Sequence, residues 1–422
     1  MKNALPTFLE FLSEIREKIK AGRIDSETKK VKQVFVVMGT GGTFQSKKGP
    51  RGYEPTGTLQ ESFGALQLPK DDTIFLALCN LMNLDSSQMT VQQWSFLAEM
   101  IVLLEEKAGD LYDGIIVTHG TDTMARGASY VSFMLPGFPK SIIFTGSQHP
   151  ALEPGSDAKD QMAHAIDASK IAAGVNRRIC EVMTACGVRV ARATWSAKRG
   201  DKTTNTFGCW NQPDQNFDAT DWAQALRNGT LDRLAPALLD FGNGKTLGDL
   251  QFADHAIAYE KKGVYRPFTK VFEPASLFPA KLTDKSEEVF TRFLIDQRVA
   301  MLIQLGSATA DDALIHLAME AADHGKTVII EAPFYDSSVE PGTYAAGAEV
   351  GRTLEYIQRP LPILNTSPDA FEAKVAVTLA RQGIQPMATT KGLGTIYSPN
   401  DLRRFYDEME TNIVGELVTS AF

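Results

Sequence analysis

Cysteine is scarce and unpatterned: four residues in 422, at positions 79, 180, 186 and 209. No two form a C-x-x-C pair and none stands at a metal-ligand spacing, so neither a disulfide framework nor a metal site is expected. Free thiols in a reducing compartment are the plain reading, and the chain is expected to be cytoplasmic. Long apolar runs are also missing. Nothing approaches the ~20 residues a membrane-spanning helix needs, so no membrane partner is expected. Near the N-terminus, Phe8, Leu9, Phe11, Leu12, Ile15 and Ile19 interleave with Glu and Lys, without the continuous apolar core of a secretory leader. Lys/Arg runs are absent too, and a net charge of −8 with a pI near 5.4 argues against a nucleic-acid partner.

With 422 residues, the chain is too long for one ordinary core. Its 43% hydrophobic and 22% charged residues are those of a soluble globular protein. Thr7 and Glu10 form a capping-box pattern that predicts an amphipathic helix over 8–21. Short apolar strands are predicted at 34–38, 74–78, 115–118, 141–145 and 179–184, with helices at 90–107, 123–135 and 157–173 between them. Fully apolar strands alternating with helices imply a parallel sheet covered on both faces. From 210 to 262 the pattern weakens, apart from a short helix at 222–227, and reads as an inter-domain connection. A second α/β unit follows, with strands at 299–305 and 327–331 and helices at 311–324, 371–382 and 399–417. The expected organisation is a helical extension (1–30), an N-terminal α/β domain (31–220), a connection (221–270) and a C-terminal α/β domain (271–422). The fold class is α/β: a larger N-terminal flavodoxin-like parallel-sheet domain plus a smaller C-terminal α/β domain.

Two strand ends carry polar chemistry. One strand runs into Gly114-Ile115-Ile116-Val117-Thr118-His119-Gly120-Thr121-Asp122-Thr123, with a histidine, threonine hydroxyls and a carboxylate in its turn. In open α/β sheets ligands bind beyond the carboxyl ends of the strands. Asp122 could instead cap the following helix, and His119 could orient backbone rather than titrate. The other stretch, Val34 to Phe44, ends in Gly39-Thr40-Gly41-Gly42-Thr43. That turn satisfies neither the G-x-G-x-x-G fingerprint nor a Walker loop. Its glycines permit close backbone approach to a ligand, as an oxyanion hole requires, and Thr43 is a hydroxyl that needs a neighbouring base to act. Tyr53 lies ten residues on, in a Gly/Pro-rich loop long enough to fold back over Thr43. Asp157 reads as a cap for the next helix, and His149 and His164 as surface or packing residues. Trp94, Trp195, Trp210 and Trp222 are not spaced as an aromatic box.

These motifs together resemble the bacterial-type L-asparaginase/glutaminase family. Thr-Gly-Gly-Thr follows one strand, then come a Tyr loop, Leu84-Asp85-Ser86-Ser87-Gln88-Met89-Thr90, His-Gly-Thr-Asp-Thr and Thr145-Gly146-Ser147-Gln148. The whole is similar to the cytoplasmic type I branch. The resemblance implies that Thr43 attacks a side-chain amide carbon with Tyr53 over it, and that Thr121 works with Asp122 and a lysine. It implies that Asp85 and Ser86 hold the α-ammonium and α-carboxylate of an amino-acid substrate, Asp122 sharing the ammonium, with Gly42, Gly120 and Ser147 among the substrate contacts. It implies no cofactor and a homodimer or homotetramer. The physical demand stands apart from the family: a zwitterion needs a carboxylate and fixed donors, and amide cleavage needs a nucleophile, a base and oxyanion donors.

The lysine is the least conforming part. The family's motif resembles Arg-Gly-x-x-Thr-Thr-Lys. Arg192-Ala193-Thr194-Trp195-Ser196-Ala197-Lys198 matches it in spacing but lacks the glycine and the paired threonines. Lys198 is the favoured candidate; Lys202, in Arg199-Gly200-Asp201-Lys202-Thr203-Thr204-Asn205, or no lysine, is the alternative. In some type I enzymes a cysteine of the smaller domain serves a regulatory site; Glu331-Ala332-Pro333-Phe334-Tyr335 has none at that place. The expected activity is hydrolysis of L-asparagine through a threonyl acyl-enzyme. The alternatives are an amidase for glutamine or another amide, the ammonia-supplying subunit of a tRNA-dependent amidotransferase included, and a catalytically silent amino-acid binder.

Overall fold

The computed structural model describes residues 4–24, 30–50, 52–174, 179–201 and 203–209. In the C-terminal part it describes 278–280, 301–304, 328–331, 363–364, 366–384, 387–388, 395–396, 398–409, 411 and 413–414. The chain divides into two compact units, Met1–Asp240 with Gly244–Thr269, and Phe241–Asn243 with Lys270–Phe422. The connection expected at 221–270 and its helix at 222–227 lie outside the described residues, as do residues 332–335 and the helix expected at 311–324.

The first unit is built on a six-stranded sheet. Its strands are β1 (Gln33–Gly41), β4 (Ile74–Leu84), β5 (Gly114–Thr118), β6 (Ser141–Thr145), β7 (Val182–Cys186) and β8 (Arg189–Arg192), and their order is β4-β1-β5-β6-β7-β8. The first five are parallel, and β8 returns antiparallel to β7. Every residue of β5, β6 and β7 is buried, as continuous apolar strands require when helices cover both faces. The chain leaves β1 on one side to form β4 and on the other to form β5. Beyond the carboxyl ends of β1 and β5 lies the switch point where such sheets hold ligands. This is the flavodoxin-like, mostly parallel α/β sheet that the strand–helix alternation predicts.

Helices α1 (Ala4–Arg23), α2 (Leu59–Leu66), α3 (Val91–Ala108), α4 (Met124–Met134) and α5 (Ala158–Ala172) complete this unit. Thr90 caps α3 in a reciprocal box with Gln93, which stops the helix from starting earlier. α1 begins at Ala4, so Thr7 lies within the helix rather than at its start. The i/i+3/i+4 stripe of Phe8, Phe11, Ile15 and Ile19 is buried against β4 and α3, and this burial, not the capping box, sets the helix's extent. Arg16 and Arg23 donate to the carbonyls of Lys107 and Asp110, which close the end of α3.

Three further expectations need correction. β4 runs to Leu84 rather than 78, because Ala77, Cys79 and Leu81 continue a buried alternation. β7 occupies 182–186 rather than 179–184, in register with β6 from Ile142↔Val182. It turns at once into β8 through Gly187-Val188, with Gly187 at φ 65°, a two-residue hairpin that the sequence reading passed over. Asp157 does not cap α5; its carboxylate accepts from the backbone N–H of Gln148 and His149.

In the second unit, β11 (Phe278–Ala280), β12 (Met301–Gln304), β13 (Val328–Glu331) and β14 (Ile363–Leu364) form a parallel sheet in that order. Helix α6 (Pro368–Arg381) starts three residues earlier than expected, since Ser367 caps it and Pro368 fits its first turn. α7 spans Pro399–Met409, shorter than the expected 399–417. Buried Lys374 donates to the Met409 and Thr411 carbonyls at its end.

Candidate active site

The site is assembled from single helical turns at strand ends. Thr43–Gln45 follows β1, Ser86–Gln88 follows β4 and Thr121–Thr123 follows β5. The parallel sheet delivers all three to one edge, and glycines let them touch. Gly42 has φ 68° and ψ −169°, a conformation open in practice to glycine alone. A Cβ there would stand 2.4 Å from the Gly120 Cα, and one on Gly120 would stand 2.3 Å from the Ser86 Oγ. The residues preceding Thr43 and Thr121 are thus in backbone contact, with Ser86 against Gly120. The Gly41 N–H donates to Gln45 Oε1 (3.1 Å) and the Gly42 N–H to the Leu84 carbonyl (2.8 Å). What these two glycines supply here is room, not free donors.

Lys198 reaches the same place from the far edge of the sheet. After β8 the chain makes a turn at Ala193–Trp195 and enters β9 (Ser196–Lys198), which pairs with β10 (Phe207–Cys209), Lys198 opposite Phe207. Thr184 donates to Ser196 Oγ at 2.7 Å, and Ser129 of α4 to the Ala193 carbonyl at 3.3 Å. A fully buried Arg192–Glu181 ion pair (3.0 Å) fixes the start of the segment. Lys198 Nζ then lies 3.0 Å from Thr121 Oγ1 and 2.6 Å from Asp122 Oδ1. The missing glycine and threonines of the motif do not prevent this, because Ser196 keeps a buried hydroxyl in the hydrogen-bonded network. Lys202 lies outside the described residues. Asp122 therefore pairs with lysine and does not cap α4, whose first residue has no side-chain cap. The lysine side chain is 16% exposed and the carboxylate 66%, so the ammonium sits at a protein wall and the carboxylate faces water. A lysine shared between a hydroxyl and a carboxylate can take up that hydroxyl's proton as it passes one of its own to the carboxylate, and can return it by the reverse transfer.

Other expected residues are placed as follows. Asp85 is exposed, and one of its oxygens accepts from the N–H and hydroxyl of Ser87. Ser86 is buried, and Thr123 donates to its carbonyl at 2.9 Å, tying the second and third turns together. Ser147 is buried and donates to the His149 carbonyl at 2.6 Å, so its proton is engaged within its own loop. Tyr53 lies on a hairpin of β2 (Lys47–Gly49) and β3 (Gly52–Glu54); it is 53% exposed and makes no hydrogen bond to Thr43. Thr40 is buried and donates to the Thr118 carbonyl at 2.9 Å, a structural role. His119 is fully buried, lies against the Phe144 ring and bonds the Gly120 carbonyl.

Gln45 is a site residue that sequence reasoning missed. Its Oε1 takes the Gly41 N–H and its Nε2 donates to Asn80 Oδ1 (2.8 Å), joining the β1 turn to β4. Nothing in its spacing or its sequence neighbours, Phe44 and Ser46, hinted at this. Trp94 is a second such residue; it bonds His119 Nε2 at 3.3 Å.

Burial pushes the His119 imidazole down from 6.5 to about 4, against a smaller upward pull from its bond to Gly120. The unfolded chain therefore takes up this proton first. The stabilisation is complete above pH 6.5 and falls away as pH drops through the window to about 4. The expected loss from this group is on the order of 3 kcal/mol. Denaturant midpoints followed from pH 7.5 to 4.5 check it. His119→Asn should flatten the decline, and an equal slope in both proteins would show that another group carries it.

Residues 34–221 match the family model "Asparaginase, N-terminal". L-asparaginase 1 of Escherichia coli is 29% identical over 327 residues, covering 75% of this chain and 84% of the relative. The L-asparaginase of Thermococcus kodakarensis is 34% identical over 132 residues, which is 31% of this chain and only 39% of that relative's length. A solved structure of the thermostable enzyme from T. kodakarensis superimposes with a TM-score of 0.67 at 22% identity, covering 92% of this chain and all of that one. No helix among the described residues is long and apolar enough to cross a membrane, and no group of His, Cys, Asp and Glu among them could hold a metal ion. With its Thr43, Ser86 and Thr121 turns, the part of the chain from residue 34 to 221 is an asparaginase-family N-terminal domain.

Proposed function

We propose that the protein hydrolyses the side-chain amide of L-asparagine, giving L-aspartate and ammonia. The observation that carries this reading is Lys198 Nζ held between Thr121 Oγ1 and Asp122 Oδ1, beside the turn that presents Thr43. In this reading Thr43 Oγ attacks the amide carbon and its proton passes through the Thr121–Lys198–Asp122 group to the leaving nitrogen. The C–N bond breaks, ammonia departs, and water cleaves the threonyl ester to release the acid and restore the hydroxyl. Asp85, through its open oxygen, and Asp122 face the substrate's ammonium, and the Ser86 region its carboxylate. Tyr53 takes part through the hairpin that carries it. The reading needs no cofactor, and it places the enzyme in the cytoplasm as a homodimer or homotetramer.

The direct test is ammonia release by the purified protein with asparagine, glutamine and simple amides. Asparagine should be preferred to glutamine by at least about tenfold in kcat/KM, since one methylene is worth ~1–3 kcal/mol in a closed pocket. Equal values for the two would remove the asparagine assignment and leave a broader amidase. No release with any amide, but saturable amino-acid binding, would establish the silent-binder alternative.

A further inference from the structure

Behind the Gly120 turn lie two side chains that the proposed reaction does not use. The indole N–H of Trp94, on α3, can only donate, and it lies 3.3 Å from His119 Nε2. That nitrogen must therefore be the acceptor, and the proton of the neutral ring sits on Nδ1. Nδ1 is 2.8 Å from the Gly120 carbonyl, so His119 donates to it. In a planar trans peptide the C=O and the following N–H point in opposite directions. With the Gly120 carbonyl turned back onto the buried ring, the Thr121 N–H faces the other way. It opens the Thr121–Thr123 turn, where the first N–H groups have no acceptor of their own, on the backbone against which Gly42 and Ser86 converge.

The donor of this pair is itself held from two sides. The Trp94 ring stacks on Tyr130 of α4, with centroids 5.0 Å apart. One turn earlier on α4, a Cβ on Gly127 would stand 2.5 Å from Trp94 Nε1 and 3.1 Å from His119 Nε2. A buried helix interior normally favours alanine over glycine; here the glycine leaves room for the indole–imidazole bond.

We propose that Trp94 and His119 are positioning residues: together they lock the Gly120–Thr121 peptide so that the Thr121 N–H is presented to the substrate as a fixed donor. The role in turnover rests on the amidohydrolase reading; the locked peptide does not. Trp94→Phe keeps the ring stack and removes the N–H. Gly127→Ala pushes into the bond, His119→Leu abolishes it, and His119→Asn restores a donor near the Nδ1 place. With folding confirmed by thermal melting, the first three should lower kcat about ten- to a hundredfold with KM nearly unchanged, the effect of a misplaced group rather than a lost contact. His119→Asn should recover most of the loss.

Two readouts separate the possible failures. Full kcat in Trp94→Phe and Gly127→Ala, beside an active parent protein, overturns the positioning role and leaves the amidohydrolase reading standing. A parent protein that releases no ammonia overturns that reading instead. Nitrogen-15 spectra of histidine-labelled protein decide the locked peptide in either case, with His119→Asn identifying the resonance. His119 should appear at neutral pH as the Nδ1–H tautomer, and its Nε2 signal should move in Trp94→Phe. An Nε2–H tautomer or an imidazolium overturns the proposal.

Discussion

Thr43→Ala is expected to reduce turnover by several orders of magnitude while asparagine still binds. The substitution removes one hydroxyl from the turn after β1. Asp85, Ser86 and Asp122, which face the ammonium and carboxylate in the proposed reading, are untouched. A lost covalent nucleophile lowers kcat and kcat/KM together, whereas a lost binding contact raises KM. Thr40→Ala is the control, because the Thr40 hydroxyl is buried against the Thr118 carbonyl and serves the sheet. Its cost should be that of one buried hydrogen bond, about 1–3 kcal/mol of stability, with turnover nearly kept. Trapping with a diazo-ketone analogue of the substrate, followed by peptide mapping, checks the assignment. A label on Thr121 would make that residue the nucleophile, which its 3.0 Å contact to Lys198 makes the competing site.

Lys198→Met should abolish measurable turnover and leave the fold in place. Its ammonium bonds Thr121 and Asp122, and the Asp122 carboxylate it leaves behind is solvated rather than buried. The stability cost should therefore be that of a partly exposed ion pair, about 0–1 kcal/mol. Lys202→Met should be close to neutral. Steady-state ammonia assays on both variants, with melting curves, decide the matter; loss of activity in Lys202→Met with an active Lys198→Met would transfer the role. By contrast, breaking the buried Arg192–Glu181 pair would leave an uncompensated charge inside the protein, so it cannot serve as a test of chemistry alone.

How much of this was legible beforehand differs by residue. Thr43, Thr121 and Asp122 announce themselves because a polar, hydroxyl-rich turn after an apolar strand has no packing reason to exist. Asp85 and Ser86 were legible only through the family resemblance, since the strand before them was expected to end at 78. Lys198 was readable only by its spacing from Arg192, since β9 is three residues long and carries no period of its own. Asp157 reads locally as a cap, yet its carboxylate is committed to the backbone of the Gln148–His149 loop. Local pattern says which groups want partners, not which of several available partners lies within reach.

The amino-acid sequence by itself determined the α/β alternation, the parallel sheet and the two hydroxyl-bearing strand ends, because burial on both faces dictates continuous apolar strands and leaves polarity to the turns. Only the tertiary structure decided that Gly42 and Gly120 meet backbone to backbone, that Lys198 arrives from the opposite edge of the sheet, and that Trp94 turns His119 into a donor for Gly120. The Gly42–Gly120, Thr121–Lys198 and Trp94–His119 contacts join residues 78, 77 and 25 positions apart along the chain. They follow from the β4-β1-β5 strand order and its crossovers, which bring distant turns together and have no signature in any short window of sequence.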